Sequence, residues 1–273
     1  MEKQRVLFVT QEISPFLSAT EIAEQVKQIA LATHDSGKEI RIFTPRFGCI
    51  NERRHQLHEV IRLSGMNLVI NDADHPLIIK VASIPGARVQ VYFIDNEEYF
   101  QRKAVLTTED EKFFGDNDER SIFFCRGVLE TVKKLGWVPD VIHCHGWMTA
   151  FMPLYLKKVY SDDPHFANTK VIYTAHNVEY TGTLDDKLGD KLKFDGVSEK
   201  EYSCLGKGDF NGLNKLATDF ADALVTTPGV SKEITDYVKK SGKLSISQNA
   251  EDFSIQNIEL YDKVLESNSE LVD

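Results

Sequence analysis

No apolar run in the sequence approaches the roughly 18 residues needed to cross a bilayer. The first residues, Met1 to Arg5, lead straight into Val6-Leu7-Phe8-Val9. That block is far shorter than a secretory apolar region, and no cleavage site follows it. A cytoplasmic location and no membrane partner are therefore expected. Cysteine is scarce, with four in 273 residues (Cys49, Cys125, Cys144 and Cys204), and none forms a C-x-x-C pair. This excludes a disulfide framework and a thiolate zinc site, and leaves reduced thiols, with Cys144 on or just after a strand. Positive charge is in deficit: 32 Lys and Arg stand against 42 Asp and Glu, a formal net charge of −10. A chain of that sign lacks the basic groove that displaces counterions from nucleic acid, so no nucleic-acid partner is expected. There is no G-x-G-x-x-G, no G-x-x-x-x-G-K-[ST] and no G-x-S-x-G, which removes the usual dinucleotide, P-loop and α/β-hydrolase readings.

With 42% hydrophobic residues, the chain can bury a large core. Val6 to Val9 reads as a buried parallel strand, being short, uninterrupted and rich in β-branched residues. A helix is predicted from about Thr20, with Ile22, Ala23, Val26, Ile29, Ala30 and Thr33 forming one apolar stripe and Gly37 ending it. Ile40 to Phe43 then supplies a second strand. Over residues 55–95 the short runs Val60-Ile61, Leu68 to Ile70, Leu77 to Val81 and Val89 to Ile94 read as added antiparallel strands, with a hairpin turn at Pro85-Gly86. Beyond a helix from about Asp118 to Leu135, the alternation resumes: strands at Val141 to Cys144, Val171 to Thr174 and Ala223 to Thr226, and helices at Met148 to Val159, Leu213 to Phe220 and Val230 to Val238. Residues 182–212 read as a long polar loop. Residues 246–273 read as an acidic, helix-prone tail behind a single domain over residues 1–245. The fold class is α/β: one Rossmann-like domain with a mostly parallel sheet and added antiparallel strands.

Ligands of open parallel sheets sit beyond the C-terminal ends of the strands. Three segments place polar residues there: Thr10-Gln11-Glu12, His143 through Trp147, and His176-Asn177. His143 and His145 share a strand face, and a hydrogen-bonded structural pair outweighs a zinc site, since no further ligand is suitably spaced. No metal is expected. An imidazole and an amide at His176-Asn177 suit sugar hydroxyls about as well as they suit a strand end satisfied by its own backbone.

Four ordered motifs now bear on the family. Glu12-Ile13-Ser14-Pro15-Phe16, followed by Ile40 through Phe47, resembles the opening of bacterial glycogen and plant starch synthases. Pro139-Asp140-Val141-Ile142-His143-Cys144-His145-Gly146-Trp147 with Pro153-Leu154-Tyr155-Leu156 is similar to their P-D-V-[VI]-H-x-H-D-W-H stretch. Thr174-Ala175-His176-Asn177 with Tyr180 and Gly182 resembles T-x-H-N-x-x-Y-Q-G, and Ala221-Asp222 through Glu233-Ile234 resembles A-D-x-[VI]-T-T…E-I. The resemblance implies the N-terminal domain of a GT-B glucosyltransferase that moves glucose from ADP-glucose or UDP-glucose to the non-reducing 4-OH of an α-1,4-glucan, with retention and without metal or cofactor. It implies His176 as the catalytic-cleft residue, and Glu12, His145, Trp147, Asn177 and Tyr180 as substrate-binding residues. It also implies that the second GT-B domain, which carries the main nucleotide pocket, lies outside this chain.

The pattern breaks at two places within the chain. Where the family has K-T-G-G at the first helix, this chain has Ser18-Ala19-Thr20-Glu21. Lys and bare glycine backbone at a helix N-terminus suit a diphosphate. Ser18 and Glu21 suit a capping box, worth about 0.5–2 kcal/mol. A like charge about 4 Å from phosphate costs about 4 kcal/mol at an effective dielectric near 20. Gly146 and Met148 stand where the family has Asp and His. Two functions follow as expectations: a glucosyltransferase half completed by another polypeptide, or a non-catalytic glucan- or synthase-binding regulator, which the residue chemistry favours for the chain alone.

Overall fold

A computed structural model of the chain describes residues 3–108, 110–249 and 251–266. The first half runs β1 (Arg5–Thr10), α1 (Ile22–Asp35), β2 (Glu39–Pro45), α2 (Glu52–His55), β3 (His58–Glu59), β4 (Met66–Ile70), β5 (Ala73–Ser83), β6 (Gln90–Asp95), α3 (Glu97–Phe100) and α4 (Asn117–Leu135). The second half runs β7 (Val141–His145), α5 (Phe151–Leu154), β8 (Lys170–Ala175), α6 (Leu188–Phe194), α7 (Phe210–Phe220), β9 (Ala223–Thr226), α8 (Lys232–Lys240), β10 (Leu244–Ser247) and α9 (Phe253–Glu266).

The strands form one sheet in the order β10-β9-β8-β7-β1-β2-β6-β5-β3, with β4 paired to β5. From β10 through β6 every neighbouring pair is parallel; β5 joins β6 antiparallel, and β3 and β4 join β5 antiparallel. This is the expected parallel sheet with antiparallel additions. β1 lies at its centre because Val6 through Val9 are buried on both faces. The stripe Ile22, Ala23, Val26, Ile29, Ala30 and Thr33 faces the core from α1, as its spacing predicts. The β5–β6 hairpin closes through Pro85-Gly86, where Gly86 has φ 78°, a value that favours glycine. Among the described residues no helix is long and apolar enough to cross a membrane.

Several expectations are corrected. The strand predicted at Val60-Ile61 lies two residues earlier, because the Val60 carbonyl closes a turn by accepting from Leu63 and Ser64 N–H; Ile61 is left exposed. The helix predicted over Met148 to Val159 is broken into a 3-10 turn at Trp147–Thr149, α5, and a π-turn at Tyr155–Val159. Pro153 sits in the first turn of α5, where its missing N–H has no intrahelical partner to lose.

The stretch 182–212 is not one loop. It holds α6, a 3-10 turn at Ser203–Leu205 and the start of α7. Its polarity conceals burial: Lys191 is 4% exposed, with Nζ between Asp118 (2.7 Å), Glu119 (2.8 Å) and Asp185 (2.9 Å). Nor do residues from 246 onward form a tail. The expected boundary at 245 falls inside β10, which pairs with β9, and α9 packs on α1 with Leu260, Tyr261 and Val264 buried. Those apolar positions are interleaved with charges that face outward, which masks the helix stripe. Residues 267–273 of the expected tail lie outside the described residues.

Candidate functional site

β1, β7 and β8 are consecutive parallel strands whose register aligns Thr10 with His145 and His145 with Thr174. The three polar strand ends therefore meet along one edge, as the topology predicts. Gln11 N–H donates to the His145 carbonyl at 3.3 Å, tying the first segment to the second.

Three buried histidines meet at this edge. The His143 and His145 rings lie close, with centroids 4.0 Å apart and planes tilted by 43°, but each hydrogen-bonds to other partners and not, as expected, to the other ring. The pleat puts both rings on one face and their nitrogens toward different neighbours. His143 Nδ1 lies 2.8 Å from the Tyr261 hydroxyl and Nε2 lies 2.7 Å from Thr174 Oγ1. His145 Nδ1 instead meets His176 Nε2 at 3.2 Å. Burial holds all three neutral: it pushes His143 and His176 down to about 3, with the neighbouring His176 adding to the effect on His143. Burial and the two flanking imidazoles hold His145 well below its ordinary value. Among the described residues no group of three or more metal-ligating side chains gathers, here or elsewhere. Burial also raises the Cys144 thiol well above its ordinary value, which makes it inert.

Four buried polar atoms at this edge have no partner: His145 Nε2, His176 Nδ1, Trp147 Nε1 and Gln11 Oε1. Native interiors seldom leave such groups unsatisfied away from functional sites. Trp147 is walled by Tyr180 (centroids 4.7 Å) and Phe113 (5.7 Å), and Phe113 stacks on Tyr180 at 4.8 Å. The Tyr180 hydroxyl donates to the Gly208 carbonyl at 2.8 Å. Gly208 also lines a cavity of about 540 Å³, together with Asp185, Asp186, Tyr202 and Lys207.

Gly146 does more at this edge than omit the family's carboxylate. It sits at φ 86°, ψ 160°, a region essentially reserved for glycine, and a Cβ there would lie 2.6 Å from Gln11 Cδ. Gln11 thus fills the space a side chain at 146 would take. Gly146→Asp is expected to destabilise the protein by about 2 kcal/mol through backbone strain and crowding. An unshifted urea midpoint for that variant would contradict the assignment.

Asn177 is held by its neighbour loop. Its N–H donates to Thr227 Oγ1 at 3.2 Å, and its Nδ2 would lie 2.6 Å from a Cβ on Gly229, which has φ 84°. Glu12 is placed differently from a free ligand. It is 2% exposed, and its carboxylate accepts from Ala19 N–H at 2.7 Å, Thr20 N–H at 3.1 Å and the Thr20 hydroxyl. The expected capping box does not form. Glu21 is the N-cap of α1 without a side-chain bond, while Thr20 Oγ1 accepts from Ile22 N–H at 3.3 Å. Glu12 has taken the loop's donors, so Ser18 and Glu21 stay exposed.

The site thus brings together His145, Trp147, His176, Asn177 and Tyr180, and sets Glu12 beneath the loop 18–21. Sequence reasoning passed over Phe113, Thr174, Gly229 and Tyr261. For Gln11 the signal was present in its strand-end position. For Tyr261 there was none, since its element was read as a tail.

Comparison with known proteins fits this geometry. A family model described as the starch synthase catalytic domain matches residues 5–245. A glycogen synthase of Chlorobium limicola is 39% identical over 226 residues, covering 82% of this chain and 45% of that protein. One of Chlorobium phaeovibrioides is 37% identical over 235 residues, covering 85% of this chain and 47% of that protein. The chain thus spans about half the length of these curated relatives. Among solved structures, the catalytic domain of starch synthase IV from Arabidopsis thaliana, bound to ADP and acarbose, superposes with a TM-score of 0.74 at 20% identity, covering 90% of this chain and 51% of that one. Its likeness establishes the GT-B type of fold. By the family match across nearly its whole length, this chain belongs to the starch synthase catalytic domain family.

Proposed function

We propose that the edge formed by β1, β7 and β8 is the saccharide-binding face of a glucosyltransferase of the glycogen/starch-synthase type. In the full reaction, glucose moves from ADP-glucose to the non-reducing 4-OH of an α-1,4-glucan with retention. His176 lies nearest the transferred glucose, and His145, Trp147, Asn177 and Tyr180 contact sugar. Glu12 acts indirectly, by bracing the loop before α1. One observation carries the reading: four buried polar atoms without partners lie along this strand edge, next to the Trp147–Tyr180–Phe113 aromatic cluster, residue types suited to a hydroxyl-rich, flat-faced ligand. The 540 Å³ cavity beyond Tyr180 offers room for a glucan that continues past the first sugar. The other half of the relatives' length, on this polypeptide or a partner, is proposed to supply the nucleotide contacts.

A second reading, saccharide binding without transfer, is favoured by one feature. The N–H groups of Ala19 and Thr20 are already engaged by Glu12, and Glu21 sets a further negative charge at the same helix end. Two measurements separate the two: calorimetric titration of the purified chain with maltooligosaccharides, ADP and ADP-glucose, and an assay of glucan extension from ADP-glucose with a glycogen-synthase C-terminal half added in trans. Glucan extension in that mixture, or tight ADP-glucose binding by this chain, sinks the regulator, whereas saccharide binding with no extension supports it. Absence of saccharide binding sinks both. Ser18→Lys combined with Glu21→Gly is expected to raise ADP affinity about tenfold, since exposed charges at a helix N-terminus are worth about 0.3–1 kcal/mol each. Unchanged affinity in that titration counts against the anion-site argument.

A further inference from the structure

A neutral imidazole carries one N–H and one bare nitrogen. His145 Nδ1 and His176 Nε2 face each other at 3.2 Å, so one of these two atoms must hold the proton and the other must accept. If His145 Nδ1 donates, His176 Nε2 is bare and the His176 proton sits on Nδ1. If His176 Nε2 donates, His145 Nδ1 is bare and the His145 proton sits on Nε2. In either case both rings have the same tautomer, Nδ1–H in the first and Nε2–H in the second. The outer nitrogens, His145 Nε2 and His176 Nδ1, then present one donor and one acceptor. These are two of the buried atoms left without a partner.

We propose that His145 is a positioning residue that locks the tautomer of His176 to its own, so that the pair always carries one N–H and one lone pair on its buried outer nitrogens. That set matches hydroxyl groups, which donate and accept at once, better than phosphate oxygens, which only accept. The assignment rests on the reading of this edge as a saccharide site and names what selects the sugar there. The surroundings leave His145 no competing partner. His143, packed against it at a tilt of 43°, has both nitrogens taken by Tyr261 and Thr174, and the Phe8 ring lies nearly parallel to it with centroids 6.2 Å apart. Their burial keeps the rings neutral, the condition under which the pairing rule holds.

The test is nitrogen-15 spectroscopy on the intact chain with labelled histidine, at neutral pH. Long-range proton–nitrogen spectra report the tautomer of each ring, and a nitrogen–nitrogen scalar coupling reports the shared hydrogen bond. The expected result is one common tautomer for residues 145 and 176, with a coupling between His145 Nδ1 and His176 Nε2. His145→Phe should abolish the coupling and shift His176 Nε2, while His145→Asn, whose amide can stand where Nδ1 stands, should leave His176 nearer its original shifts. Opposite tautomers, or no coupling in the unaltered protein, overturn the proposal without any variant having to fold. Adding maltooligosaccharide should move the outer nitrogens, His145 Nε2 and His176 Nδ1. If the tautomers match but saccharide moves neither, the pairing stands and the saccharide assignment falls.

Discussion

Acidification from pH 7 to pH 5 is expected to remove about 4 kcal/mol of stability through His143 and His176 alone. Each has an ordinary value of 6.5 and is pushed down to about 3 in the fold by burial. As pH falls through 6.5 the unfolded chain binds protons at these positions, whereas the folded chain refuses them until about pH 3. The unfolded state therefore holds more protons throughout that window, and stability rises with pH across it. The contribution is complete above pH 6.5 and is lost progressively below it, by about 2 kcal/mol per histidine at pH 5. His145 acts in the same direction. Asp95, Asp118 and Asp195, raised by burial, act in the opposite direction, so the histidine effect is isolated by comparison with a His143→Gln variant. Urea midpoints at pH 7 and pH 5 measure it. The unaltered protein should lose about 2 kcal/mol more than the variant between pH 7 and pH 5, and equal losses in the two proteins would remove His143 as a source.

The same three histidines show where sequence reading reaches and where it stops. Their position at a strand end was legible, because continuous apolar runs mark buried parallel strands and parallel sheets collect polar residues at one edge. Their partners were not. Tyr261 lies 118 positions from His143 and Thr174 lies 31 away, and no local pattern announces which hydroxyl a buried ring will meet. α6 was missed for a related reason: Lys191 reads as a surface charge until Asp118, 73 positions earlier, is seen to lie against it. α9 reads as helix-prone, but its packing on α1 is not legible, because a charge-rich helix with a narrow buried stripe looks like a solvated tail. Glu12 was legible as a special carboxylate, but its composition could not say whether it faces a ligand or its own backbone. The family motifs were legible throughout, since they lie on or directly beside β1, β2, β7, β8 and β9, where the register of neighbouring strands permits little drift.

Replacing Glu12 by Ala is expected to cost about 3 kcal/mol and to free the loop ahead of α1. One buried carboxylate accepts from two backbone N–H groups and a hydroxyl across seven and eight positions of chain. Charge-assisted bonds of this kind contribute about 1.5–3 kcal/mol each at most, and water recovers part of the loss where Ala19 is exposed. Glu12→Gln keeps an acceptor oxygen but loses the charge, so it should cost about half as much. Hydrogen exchange gives the decisive readout. The Ala19 and Thr20 amides should lose protection in Glu12→Ala, while those of β1 keep theirs. If both loop amides stay as protected as before, something other than Glu12 holds them, and the N–H groups before α1 were never closed to an incoming phosphate by this side chain.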